Sequence, residues 1–311
     1  MRLKVIFAGT PQNAASTLRA LVESGVEVVG VLTRKDAPVG RDRVLEPSPV
    51  ANEAQALGIR VIKANSIDND VLNQIVILGA EIGLIVAYGA FLDGRALEAL
   101  DKGWINLHYS LLPKYRGAAP VQRAIQNGEK ETGVSVFQLD KGMDSGPVFM
   151  SVPTLIEPGE NSSRLLGRLT AIGVSALLEL LPGIASGISK AKPQNDVEKS
   201  FAPKVSRADA KINWQLSARV IENLINAMNP EPMAWSTLDD VAIRILAARE
   251  THQITPAVAF GQVVLYEGNV IVGCNQSQLQ LQEVQPAGKS PMSASDWMRG
   301  QQKKDSVVLG T

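Results

Sequence analysis

Residues 3–33 read LKVIFAGTPQNAASTLRALVESGVEVVGVLT, and this stretch decides the fold. Residues 3–9 are apolar and stop at Gly9, which predicts a buried strand. Residues 12–24 carry helical spacing, and 26–33 are a second run rich in valine. Strand, helix, strand at this spacing is a βαβ unit, whose strands run parallel. The texture repeats downstream. Helices are predicted near 48–57 and 67–78, with strands near 59–62, at IGLIVAY (82–88) and at GWINLH (103–108). A short helix at 119–128 and a strand at 133–139 follow. The alternation predicts an α/β domain, Rossmann-like, with a mostly parallel sheet covered by helices on both faces. Ligands of such sheets bind beyond the carboxyl ends of the strands.

After a helical run at 162–184 the composition changes. Residues 186–212 are polar and contain prolines, and their six basic residues (190, 192, 199, 204, 207 and 211) outnumber three acids (196, 198 and 209). This reads as a basic linker. A helix at 216–228 ends at NPEP, and short β-like stretches with glycine turns follow, which predicts a small antiparallel barrel or sandwich. The expected division is a first domain over 1–188, a linker over 189–208 and a second domain over 209–311.

A chain of 311 residues suits two domains. Its 45% hydrophobic content can build sizeable cores, and its net charge of zero excludes an overall basic coat but not a local basic patch. One cysteine, Cys274, cannot form an internal disulfide or a cysteine-based zinc site. Two histidines, His108 and His252, lie too far apart in sequence to suggest a histidine-rich metal site. The first residues lack a signal-peptide core, and the apolar stretch at 82–92 is too short to span a bilayer. A soluble, cytoplasmic, monomeric protein without a metal is expected, with His252 and Cys274 structural.

The chemistry concentrates where the strand at 103–108 ends. Asn106 and His108 are at positions i and i+2, so they share one face of the strand. Asp144 sits in QLDKGMDSGPV (138–148), where two glycines and a proline predict a tight loop. An amide and an imidazole can donate to a developing oxyanion, and a nearby carboxylate can orient the imidazole and take a proton. Read alone, a histidine at a strand end is more often structural, and an aspartate between glycines is usually a turn residue. No G-x-S-x-G supplies a nucleophile, so an acyl acceptor would be the second substrate itself. FAGTPQNAAS (7–16) is neither G-x-G-x-x-G nor a Walker loop, which weakens a dinucleotide site. The connection at 33–49 is long and carries Arg34, Lys35, Arg41 and Arg43, as a basic arm would.

HYSLLPKYRGAAPVQ (108–122), with FAGTP, VGRDRVLEPSPV, VAYG and DKGMDSGPV, resembles the formyltetrahydrofolate-dependent formyltransferases over nearly the whole chain. The resemblance implies a formyl transfer from 10-formyltetrahydrofolate in which Asn106, His108 and Asp144 are the catalytic trio. It implies that Ser110, Leu111, Leu112 and Pro113 bind tetrahydrofolate, and that Ala87, Tyr88, Gly89 and Asp140 help hold its pterin ring. The strongest likeness is to members that act on initiator methionyl-tRNA. It implies tRNA contacts from Arg34, Lys35, Arg41 and Arg43, from Lys204 and Arg207 of the linker, and a second domain of oligonucleotide-binding barrel type. The alternative acceptor is a small amine such as an amino sugar nucleotide. Two departures stand out. Gln12 and Asn13 replace the family's usual acidic residue and aromatic, and Tyr109 stands where a small residue is usual.

Overall fold

The computed structural model describes residues 3–40, 42–251, 258–275, 277–301 and 307–311. In chain order its elements are β1 (Lys4–Gly9), α1 (Gln12–Glu23), β2 (Glu27–Thr33), β3 (Ala37–Val39), β4 (Val44–Glu46), α2 (Pro49–Ala56), β5 (Val61–Lys63), α3 (Asn69–Ile77), β6 (Ile82–Val86), α4 (Gly94–Glu98), β7 (Trp104–His108) and α5 (Pro120–Gln126). Then come β8 (Glu131–Gln138), β9 (Val148–Leu155), α6 (Ser162–Ala185), α7 (Ala218–Met228), β10 (Trp235–Leu238), β11 (Val241–Thr251), β12 (Val263–Tyr266), β13 (Asn269–Cys274), β14 (Ser277–Pro286), β15 (Met292–Ser293) and α8 (Ala294–Arg299).

The chain forms two compact units. The first comprises residues up to Gly117, Thr132–Thr154 and Leu166–Phe201; the second comprises Ala118–Glu131, Leu155–Leu165 and Ala202–Thr311.

The first unit holds a seven-stranded sheet in the order β5-β2-β1-β6-β7-β8-β9. The pairs β2–β5, β1–β2, β1–β6 and β6–β7 are parallel, and β7–β8 is antiparallel. From β1 the chain first builds outward through β2 and β5, then returns to the other side of β1 with β6 and β7. The crevice of such a sheet opens where the order reverses, between β1 and β6. The FAGTP and VAYG turns leave these two strands side by side. Helices on the sheet start where short polar side chains cap them: Ser48, Asp68 and Asp93 accept from the backbone N–H of Ala51, Val71 and Ala96. Gly83 on β6 leaves room for the indole of Trp104 on β7; a Cβ there would lie 2.0 Å from a ring carbon. The Trp104 Nε1–H donates to Ala96 O at 2.7 Å, which fixes the start of β7 and hence the level at which it ends.

Sequence reading located one long apolar stretch at 82–92. The structure shows that α6, 24 residues, is the element long and apolar enough by length and composition to cross a membrane, and the sole such helix among the described residues. Its Leu169, Leu177, Leu180, Leu181 and Ile184 are buried, and Gly173 makes room for Leu107 of β7, so in this fold it is a core helix. The sequence predicts this helix over 162–184, one residue short of its observed end; interruptions by glycine, arginine, serine and proline mask only how apolar it is as a whole. The basic connection at 33–49 contains the hairpin of β3 and β4, whose Val39, Val44 and Leu45 are exposed. Arg41 lies outside the described residues.

The named strands of the second unit pair antiparallel. Its sheet runs β10-β11-β14-β13-β12, with β15 also on β14. β11 is kinked by irregular register between Ile245 and Ala248. One face packs Ile221, Ile225 and Met228 of α7 against Ile243, Ile245, Leu279 and Trp297. Cys274 is buried in the same core, and burial pushes its thiol up to about 12. His252 lies outside the described residues.

Candidate active site

β7 carries its polar pair to the carboxyl edge of the sheet. Its register with β8 sets Asn106 opposite Phe137 and His108 opposite Ser135, whose backbone and side chains are buried. Asn106 Oδ1 is buried and has no hydrogen-bond partner. An unpaired buried carboxamide oxygen carries a desolvation cost of about 1–3 kcal/mol, so such an atom in a native fold calls for a reason.

The His108 ring is buried, and its edge packs on Phe137 at 6.3 Å. Its Nε2 lies 2.9 Å from Tyr115 O. A carbonyl can only accept, so Nε2 carries a hydrogen and the tautomer is set by the backbone. The other nitrogen, Nδ1, lies 3.8 Å from Asp144 Oδ2. Asp144 is held in a left-handed backbone conformation at φ 49°, and its Oδ2 accepts from Gly117 N–H at 2.7 Å. The predicted trio is therefore partly assembled: His108 and Asp144 face each other, and Asn106 shares the β7 face with His108. Tyr115 and Gly117, two residues apart on one loop, each hold one member of the pair.

The SLLP segment is shaped by two serines. Ser110 Oγ donates to Lys114 O at 2.6 Å, closing the loop on itself. Ser135 Oγ donates to Ser110 O at 2.8 Å and accepts from Leu112 N–H at 3.0 Å. The 87–89 turn is equally constrained. Ala87 and Gly89 have φ of 49° and 78°. Thr10 Oγ1 donates to Tyr88 O at 2.8 Å, and Tyr88 Oη donates to Ala64 O at 2.9 Å. Burial pushes the Tyr88 phenol up to about 12, against the opposing charge of Arg34, so it remains a donor. The Tyr88 side chain is packed in the core. Asp140 spends its carboxylate on its own loop, accepting from Gly142 N–H and from Ser145 Oγ.

The basic residues are dispersed. Arg34 is committed: its guanidinium donates to Gly89 O and to Asn65 Oδ1, bracing the 87–89 turn. Lys35 is exposed, and Arg43 sits in the β3–β4 hairpin at φ 50°. Lys204 and Arg207 are exposed on the second unit, where Arg207 stacks 4.9 Å from the Trp235 ring centroid and Lys211 approaches it at 5.5 Å. Among the described residues, no group of three or more histidine, cysteine, aspartate and glutamate side chains is gathered as a metal site.

Sequence reading missed Ser135, Asn65 and Gln194. Each is a lone polar residue in an ordinary strand or loop, and no spacing rule singles it out. Of the departures at Gln12 and Asn13, the second has a structural use: the Asn13 amide donates to the Tyr109 hydroxyl at 2.9 Å.

Comparison with known proteins shows the family. The formyl transferase family matches residues 1–181, and its C-terminal domain matches residues 204–302. The chain is 43% identical over 306 residues to the methionyl-tRNA formyltransferase of Clavibacter sepedonicus, covering 98% of this chain and 100% of the relative. It is 44% identical to the methionyl-tRNA formyltransferase of Arthrobacter sp. (strain FB24), covering 99% and 100%. The structure superposes on the N-formyltransferase of Helicobacter canadensis, solved with folinic acid and dTDP-3-aminofucose, with a TM-score of 0.66 at 18% identity, over 90% of this chain and 99% of that one. At that identity the superposition speaks for the fold alone. With both domains of the family present in order and relatives above 40% identity matched end to end, the chain belongs to the formyl transferase family, alongside the methionyl-tRNA formyltransferases.

Proposed function

We propose that this protein transfers the formyl group of 10-formyltetrahydrofolate to the free α-amino group of methionine carried on initiator tRNA. The observation that carries the reading is the His108–Asp144 pair, 3.8 Å apart at the carboxyl end of β7, beside the unpartnered Asn106 oxygen. The full-length relatives support the choice of acceptor. On this reading the flat polar ring of the folate lies against backbone of the 87–89 turn and the 140–146 loop; the bonds that hold these segments in shape, and that leave Asn106 Oδ1 unpartnered, support it. On this reading Ser110, Leu111, Leu112 and Pro113, with Ala87, Tyr88, Gly89 and Asp140, bind the folate.

The folate supplies the formyl carbon and the leaving nitrogen. An α-amino group titrates at about 7.7–8.0, so a useful fraction is already nucleophilic at neutral pH. The protein therefore needs no alkoxide of its own. It must align the amine with the formyl carbon and stabilise the negative charge that gathers on the formyl oxygen. Asn106 donates its amide N–H to that oxygen, and its own buried Oδ1 accepts from the incoming amine. His108 acts through Nδ1, the nitrogen not bound to Tyr115 O, and gives a proton to the departing nitrogen as the C–N bond breaks. Asp144 orients the imidazolium and, through water, takes the proton that the amine loses when its new C–N bond forms.

By function we divide the chain into a catalytic region over 1–188, a basic linker over 189–208 and a tRNA-binding barrel over 209–311. Lys35, Arg43, Lys204 and Arg207 contact tRNA on this reading; Arg34 braces the folate turn. Arg41, outside the described residues, remains assigned to the tRNA by resemblance. The protein acts as a cytoplasmic monomer. The alternative acceptor, an amino sugar nucleotide, is of the kind bound by the Helicobacter canadensis neighbour.

The test supplies 10-formyltetrahydrofolate with charged initiator tRNA, charged elongator tRNA, free methionine and an amino sugar nucleotide. Formylation of the initiator species alone is expected. In the same assay His108→Ala and Asp144→Asn should each lower kcat by about 10²–10³-fold with the fold retained. Rates within a few-fold of wild type would overturn the assignment of the pair.

A further inference from the structure

The stretch that the sequence marks as a polar linker is fastened, over 192–200, onto the loops that carry the catalytic pair. Lys192 pairs with Val148 through two backbone bonds of 2.8 Å, just after the Asp144 loop. Ser200 accepts from Arg116 N–H at its carbonyl, accepts from Tyr115 N–H at its hydroxyl, and donates its own N–H to Pro113 O. Between these anchors lies Gln194. Its amide nitrogen donates to Asp144 O at 2.8 Å and to Gly146 O at 2.7 Å. Its oxygen accepts from Arg116 Nε at 3.1 Å and Nη2 at 2.7 Å. The guanidinium fixes which way round the amide sits, since a flipped group would set N–H against N–H.

Arg116 is 4% exposed, and its Nη2 also meets Asp196 Oδ1 at 2.7 Å. This one arginine lies between Tyr115, whose carbonyl holds His108, and Gly117, whose N–H holds Asp144. Its side chain holds the glutamine that holds the backbone of the Asp144 loop. Asp144 needs such support, because a non-glycine residue at φ 49° costs about 1–2 kcal/mol and persists only where its surroundings impose it.

We propose that Gln194, oriented by Arg116, is a positioning residue that keeps the Asp144 carboxylate turned toward His108. The inference rests on the reading of His108 and Asp144 as the working pair. Gln194 acts on the rate of the chemical step and not on the affinity for either substrate. Its bonds to the Asp144 loop run to backbone carbonyls, so a near-isosteric change removes them without opening a cavity. Gln194→Glu keeps an acceptor for Arg116 and places an oxygen against Asp144 O and Gly146 O.

The experiment measures single-turnover and steady-state formylation by wild type, Gln194→Glu, Asp144→Asn and the double variant, together with amide hydrogen exchange. Wild type is assayed first, and if it formylates no charged initiator tRNA the functional reading fails before any variant is tested. Gln194→Glu is expected to lose about 10–100-fold in kcat, the scale of a misplaced catalytic group, with both KM values within about threefold. In the Asp144→Asn background the same change should add less than about twofold, because the two act as one unit. Exchange over residues 140–147 should quicken about tenfold, with β1 and β6 unchanged. Gln194→Glu within twofold of wild type, an equal loss in both backgrounds, a loss confined to the tRNA KM, or unaltered exchange over 140–147 would each overturn the proposal.

Discussion

Asn13 and Tyr109 show how two departures from a family pattern can be a single event. The family usually has an aromatic near position 13 and a small residue at 109. Here the aromatic is on the other side of the gap, and the amide reaches its hydroxyl at 2.9 Å. Tyr109 is buried, and burial raises its phenol, with Thr170, Asn13 and Thr17 hydrogen-bonded to it and opposing the shift. Losing this one hydrogen bond costs about 0.5–1.5 kcal/mol, so neither change is neutral alone. Asn13→Ala and Tyr109→Phe should each destabilise by about 1 kcal/mol, and the double variant by clearly less than their sum. Urea midpoints of the four proteins measure this, and strict additivity would show two unrelated substitutions. Sequence alone flagged both positions as odd. It could not pair them, because nothing in a chain separation of 96 residues says that the start of α1 meets the end of β7.

At the scale of elements, the Asp144 loop is fitted tightly to the end of β8. Gln138 N–H donates to Pro147 O at 2.8 Å, and a Cβ on Gly146 would lie 1.9 Å from Gln138 O. That contact is backbone to backbone, so the loop itself must shift. Gly142, in the same loop, would instead meet the Ser145 hydroxyl at 2.0 Å, the end of a side chain that can turn away at the cost of its bond to Asp140. Gly146→Ala should therefore cost about 10²-fold in kcat through displacement of Asp144, while Gly142→Ala stays within a few-fold. Circular dichroism of both variants, beside their single-turnover rates, checks that the fold persists. The same scale explains what the sequence disclosed. β1, β2 and β6 are mostly apolar runs, and β7 is apolar but for Asn106 and His108; their buried residues make them readable. β9 alternates exposed and half-buried positions and contains Pro153, α4 has five residues, and β3 and β4 have three each and are exposed. Such elements are set by their neighbours and not by their own periodicity. The Asn106–His108 pair was legible because a strand imposes a period of two. The approach of Asp144 was not, because it depends on Gly117 and Gln194, brought from 27 residues upstream and 50 downstream.

For the whole molecule the decisive quantity is charge. Thirty-one basic residues balance thirty-one acidic ones, so the protein as a body exerts no net attraction on a polyanion. Binding a tRNA then depends on where cations are gathered. The second unit gathers two on one aromatic: Arg207 lies over Trp235 and Lys211 approaches the same ring, while Trp235 Nε1–H donates to Arg207 O at 2.8 Å. Lys204 is exposed three residues before Arg207. A cation held on an aromatic face loses little freedom when it meets a phosphate. Each phosphate neutralised releases condensed counterions, so the logarithm of affinity falls linearly with the logarithm of salt, by about 0.7–0.9 per contact. The tRNA-dependent kcat/KM should fall steeply between low and physiological salt, while the KM for the folate changes little. Arg207→Ala and Lys204→Ala should each make the slope shallower by about one unit and leave kcat at saturating tRNA unchanged. Trp235→Phe, which keeps a ring for the cations but lacks the N–H that ties Arg207, should weaken tRNA without altering the slope. Equal salt slopes for both substrates would remove the polyanion from the acceptor side of the reaction, whatever the chemistry at His108 proves to be.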